Sequence, residues 1–140
     1  MWTSTLARAV QTAEIVAARL GVGVTTRTGL REPAVDLGCA EPLDLEPLLQ
    51  TYQRWQRGDL DARMPGSETG REIADRVGAV LGEVADAHPG ETVLVVSHGV
   101  AINLGVSGLC RMDVEQGPLG NASTVEVLAD ADGWVCTRWG

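Results

Sequence analysis

His98 closes the apolar run Val93-Leu94-Val95-Val96-Ser97 and is followed at once by Gly99. A strand that stops on Ser-His-Gly presents its imidazole at the carboxyl edge of a parallel sheet, where open α/β sheets place their ligands. Gly99 allows a tight turn and close backbone approach, and the start of the helix that follows favours an anion. The competing reading is a structural histidine satisfied at a strand end. Arg8 stands one turn into a first helix, behind Thr3-Ser4-Thr5. Its planar guanidinium can clamp a phosphate through two parallel hydrogen bonds, although most helix arginines are simply solvated. Glu32 lies between Arg31 and Pro33. The proline disfavours helix before it, so this acid sits on a loop. On their own, Glu68 reads as an acid favoured by a helix start, Asn121 as a turn residue, and His88 as a surface residue before Pro89-Gly90.

Positioning these groups requires alternating helices and strands. Ser4 or Thr5 can cap a helix to about Leu20, with Leu6, Val10, Ala13, Ala17 and Leu20 on one stripe. Residues 22–28 read as a β-branched strand, and residues 34–44 as loop. A helix over 46–57 carries Leu48, Leu49, Tyr52 and Trp55. Pro65-Gly66 marks a turn, after which Thr69 and Glu72 form a capping box for a long helix to about Ala87. Its apolar face is Ile73, Val77, Val80, Leu81 and Val84. Residues 92–97 read as a strand buried on both faces, 99–109 as a helix, and 123–128 with 134–138 as a terminal hairpin. The fold class is therefore α/β, with helices on both faces of the sheet.

The chain has 140 residues, which suits a single domain over 1–140. Its net charge of −8 argues against nucleic acid or an anionic membrane as partner, since both need a basic face. A small anion is still admissible, because one or two converging arginines make a local positive pocket. All eleven basic residues are arginine. Cys39, Cys110 and Cys136 are widely spaced, without metal-ligand spacing, and read as packed thiols of a cytoplasmic protein. No leader and no long apolar run stand out, so a soluble, cytoplasmic protein is expected.

Five blocks in order resemble the histidine phosphatase (phosphoglycerate-mutase-like) superfamily: Ser4-Thr5-Leu6-Ala7-Arg8-Ala9, Leu30-Arg31-Glu32, Gly66-Ser67-Glu68, Val96-Ser97-His98-Gly99, and Asn121 before the hairpin. The resemblance implies a three-layer αβα sandwich, a phosphorylated small-molecule substrate, and no metal or cofactor. It casts His98 as the second histidine, stabilising charge on the transferred phosphoryl group, with Arg8 as phosphate clamp and Glu32 as proton donor to the leaving oxygen. Gly99, Glu68 and Asn121 would line the substrate pocket.

One block of that family is absent. Its nucleophilic histidine belongs to an Arg-His-Gly segment near the N-terminus, and the only histidines here are His88 and His98. The expectation is an N-terminally truncated domain without its first strand, phosphate loop and first helix. Such a domain would be inactive as a phosphatase, with an exposed sheet edge open to self-association. Two alternatives stand beside it. One is a repurposed acid–base enzyme (lyase, isomerase or cyclase) using Glu32 and His98. The other is a non-catalytic anion-binding module.

Overall fold

The computed structural model describes residues 1–35 and 45–140. Cys39 and most of the loop expected over 34–44 lie outside that range. Strand β1 (Trp2–Ser4) leads into helix α1 (Ala7–Leu20), strand β2 (Thr25–Arg27) and a 3-10 turn (Thr28–Leu30). Helices α2 (Glu46–Gln56) and α3 (Gly70–Ala87) follow, then β3 (Val95–Val96), α4 (Gly99–Leu109), β4 (Arg111–Met112) and the hairpin β5 (Val125–Asp130) and β6 (Gly133–Trp139).

β1 is the middle strand of a parallel sheet in the order β2-β1-β3, and the hairpin forms a second sheet in the order β4-β6-β5. The opening residues, expected to cap α1, are therefore a strand. The helix begins after Leu6, with no side chain capping it. Ser4 is unavailable as a cap because its hydroxyl accepts the Leu6 N–H at the strand end. The run at 92–97 is shorter and more exposed than expected. Only Val95 and Val96 pair, both with β1, and none of the six residues is buried. β3 has a neighbour on one side only among the described residues, so water reaches what a second strand would cover.

Two cores hold the layers together. The main one joins Trp2, Leu30, Trp55, Ile73, Val77 and Leu104, so β1, α2, α3 and α4 share it. Strand alternation turns Thr3 to the opposite face, the side on which α1 packs Ala9, Ala13 and Ala17. The buried ridge of α1 is these three alanines, while Leu20, expected on the stripe, is exposed. α3 follows its expected face and carries the complete Thr69–Glu72 capping box. The second core sets Ile102 and Val106 of α4 against Cys110, Cys136 and the hairpin tryptophans Trp134 and Trp139. Its two thiols are free and buried, and burial raises that of Cys110 to about 11.

α3 and α4 touch at Gly105, where an added Cβ would stand 2.2 Å from Val77 Cγ1. Gly105→Ala should therefore destabilise the fold by about 1–3 kcal/mol, the usual cost of overpacking, read from the denaturant midpoint. Thr3 is fully buried and its hydroxyl lacks a hydrogen-bond partner among the described residues. Thr3→Val should raise stability by about 1 kcal/mol in the same assay, since it removes an unsatisfied polar group at nearly constant shape.

Candidate active site

The strand ends of β1 and β3 and the start of α4 meet at His98. His98 is the N-cap residue of α4 and is buried; its Nε2 lies 2.8 Å from Ser4 Oγ. With Nε2 unprotonated the serine hydroxyl donates to it, and with Nε2 protonated the hydroxyl accepts. Sequence reasoning missed Ser4 as part of this group, because a hydroxyl before a helix reads first as a cap. A strand of three residues is too short to show alternation.

The electrostatic surroundings are cationic. Burial lowers the His98 pKa to about 4, and Arg8, Arg31 and Arg76 push in the same direction, Arg8 the most of the three. The imidazole is therefore neutral at neutral pH. Arg8 and Arg31 are exposed and form no ion pair among the described residues. Arg8 was expected here; Arg31 and Arg76 were not, since nothing in their spacing separates them from solvated arginines.

Glu32 is brought to the same place, half-buried, with Oε1 accepting the Val100 N–H at 3.2 Å and Oε2 the Ala101 N–H at 3.1 Å. The start of α4, expected to favour a substrate anion, thus carries this side chain on its second and third N–H groups. Gly99, the first residue of the helix, remains exposed, and no hydrogen bond engages its N–H among the described residues. Each carboxylate oxygen keeps a further lone pair beyond its helix contact, so Glu32 can take up or pass a proton while it stays on the helix.

The other expected site residues fare differently. Glu68 forms a two-pronged pair with Arg76, Nε to Oε1 at 2.6 Å and Nη2 to Oε2 at 2.9 Å. It faces that guanidinium and has no hydrogen bond to His98. Asn121 lies in an exposed turn, and no hydrogen bond ties it to the His98 group among the described residues. His88 sits at the far end of β1, half-buried, where its Nε2 accepts the Trp2 indole N–H at 3.1 Å and its Nδ1 meets Glu91. It is tied into the fold, more than the surface residue that Pro89-Gly90 suggested. Among the described residues no three His, Cys, Asp or Glu side chains gather as a metal site. A cavity of about 600 Å³ between α2, α4 and residues 116–118 is lined by Tyr52, Asn103, Ser107 and Gln116, and by none of the expected catalytic residues.

The arrangement can bind an anion against unpaired guanidiniums and a neutral imidazole. A histidine held below its unfolded pKa of about 6.5 favours the folded state above that value, and the contribution is lost as pH falls toward about 4. Proton NMR should find the His98 ring titrating near pH 4. Arg8→Gln should move that midpoint upward, because it removes the largest of the three repulsions. A midpoint near 6.5 in the unmodified chain would contradict this picture.

Comparison with known proteins agrees with the architecture. The family model for the histidine phosphatase superfamily (branch 1) matches residues 1–140. Probable phosphoglycerate mutases GpmB from Salmonella paratyphi B and Salmonella newport are 33% identical over 144 residues, covering 98% of this chain and 66% of theirs. The chain thus spans just under two thirds of the length of these relatives. A mycobacterial glucosyl-3-phosphoglycerate phosphatase solved with VO3 superposes with a TM-score of 0.76 at 24% identity, over 99% of this chain and 75% of that one. YhfR of Bacillus stearothermophilus gives 0.76 at 20% identity, over 97% and 70%. These structures share the αβα fold. With its sequence matched from end to end, the chain belongs to the histidine phosphatase superfamily, branch 1.

Proposed function

We propose that the His98 group is the phosphate-receiving part of a phosphomonoester hydrolase site, and that turnover requires a histidine nucleophile from outside these 140 residues. The observation that carries this reading is that Arg8 and Arg31, without an ion pair among the described residues, lie within electrostatic reach of a buried neutral imidazole in a chain of net charge −8. Such local positive charge against the overall sign suits a small anion. Relatives named as mutases and phosphatases of phosphorylated metabolites support a phosphorylated substrate.

The division of labour follows from position. Arg8 and Arg31 grip the phosphate oxygens, with the Gly99 N–H at the helix start as a further donor. His98, neutral when the site is empty, hydrogen-bonds the phosphoryl group and stabilises its charge. Glu32 serves the leaving oxygen through the lone pairs that its two helix contacts leave free. Covalent phosphoryl transfer also needs an attacking group opposite the leaving oxygen. His98 is held at Nε2 by Ser4, and His88 is bound to Trp2 at the other end of β1, so neither supplies it. The neutral state of His98 favours one second reading, in which His98 and Glu32 perform non-covalent proton transfer on a small anionic molecule.

Two measurements test the proposal. Inorganic phosphate should raise the His98 titration midpoint, because a bound phosphate anion offsets the arginines, and Arg8→Gln should weaken phosphate binding by about tenfold, the loss of one charged hydrogen bond. A midpoint indifferent to phosphate would end the phosphate-site assignment. Incubated with an aryl phosphate, the 140-residue chain should show no turnover. Hydrolysis that His98→Ala abolishes would overturn the nucleophile argument.

A further inference from the structure

The four residues before Glu32, Thr28 to Arg31, each have their carbonyl hydrogen-bonded. Arg31 N–H bonds the Thr28 carbonyl within the 3-10 turn. Arg76, on α3, sends a single nitrogen, Nη1, to both the Gly29 carbonyl at 2.8 Å and the Arg31 carbonyl at 2.7 Å. Ser97, beside His98, donates its hydroxyl to the Leu30 carbonyl at 2.8 Å. Between them Leu30 is driven into the main core, with 1% of its surface exposed. The approach to α3 is close: a Cβ on Gly29 would stand 2.7 Å from Val80 Cγ2 and 3.0 Å from the Arg76 carbonyl oxygen.

Arg76 can serve two carbonyls only if its guanidinium is fixed in plane. Glu68 does this by taking the Nε and Nη2 edge with both carboxylate oxygens. The pair is largely shielded, with side-chain exposures of 22% for Arg76 and 32% for Glu68, so it is more than a solvated surface contact. We infer that Glu68 and Arg76 are positioning residues: Glu68 orients the Arg76 fork, Arg76 fixes the Gly29–Arg31 backbone, and that backbone holds Glu32 on the first turn of α4. The assignment gives Glu68 a role apart from substrate contact, and it deepens the proposed function, on which it rests for the meaning of Glu32.

Lysine cannot replace this arginine. Its ammonium offers no planar edge that would receive Glu68 and point at two carbonyls at once. The test reads Glu32 directly through its two partners. In ¹H–¹⁵N spectra of the 140-residue chain, Glu32→Ala should move the Val100 and Ala101 amides together, because both lose their shared acceptor. Arg76→Lys and Glu68→Gln should each move the same two amides in that direction by half as far or more, while the amides of Ala13 and Val127 stay in place to show an intact fold. Glu68→Gln keeps the shape and one acceptor, so it provides the answer if Arg76→Lys does not fold. Val100 and Ala101 amides that stay in place in the folded variants would overturn the inference and leave the pair as structural support only. Phosphate binding is measured separately: its absence in the unmodified chain would sink the proposed function and leave the amide result to decide the positioning role.

Discussion

The hydrogen bond between Ser4 and His98 joins the end of the middle strand to the start of α4, and the site takes its shape from that junction. Ser4 is fully buried, and its hydroxyl is also bound by the Leu6 N–H, so the turn into α1 is set by the same oxygen. α1 then carries Arg8 within electrostatic reach of the imidazole. The next residues of α4 receive Glu32. One small side chain thus relates the clamp, the imidazole and the acid without contacting any of the three except His98. Neutral imidazole is the form this burial favours, since a further positive charge beside three guanidiniums would be costly.

Electrostatics here are local. The chain carries a net charge of −8, yet Arg8, Arg31 and Arg76 all lie within electrostatic reach of one imidazole, and among the described residues Arg8 and Arg31 have no ion pair. Arg27 pairs with Glu83, Arg54 with Asp59, and Arg71 with Asp61, each exposed and of small energetic weight. What distinguishes the site is a buried imidazole within electrostatic reach of three arginines, together with a shielded pair, Glu68–Arg76, that serves the backbone.

Much of this was legible in the sequence. Long helices announce themselves by period and caps, and α3 and α4 lie within a residue or so of where spacing puts them. Of the residues singled out by motif, Arg8 lies within electrostatic reach of His98, and Glu32 bonds the two N–H groups that follow Gly99. The short strands were harder. β1 and β3 have three and two residues, too few for alternation to appear, and β3 is exposed because it has a strand neighbour on one side only among the described residues, which no local pattern encodes. Arg76 and Ser4 were hidden for a different reason. Their partners are 45 or more residues away, at Gly29, Arg31 and His98, and a contact of that range has no signature in spacing.

α4 belongs to both cores. Ala101 and Leu104 lock it to α3 and the sheet, while Ile102 and Val106 lock it to the terminal hairpin. A packed helix moves as a rigid rod, because its interior is too dense to bend without cost. Its first turn presents His98 and the two N–H groups that hold Glu32, and its last turns rest on Cys110 and the hairpin. The hairpin is thus the far bearing of a shaft whose near end is the site. A load applied at Trp134 or Trp139 would tilt the imidazole and both amide donors together, as one mechanical unit.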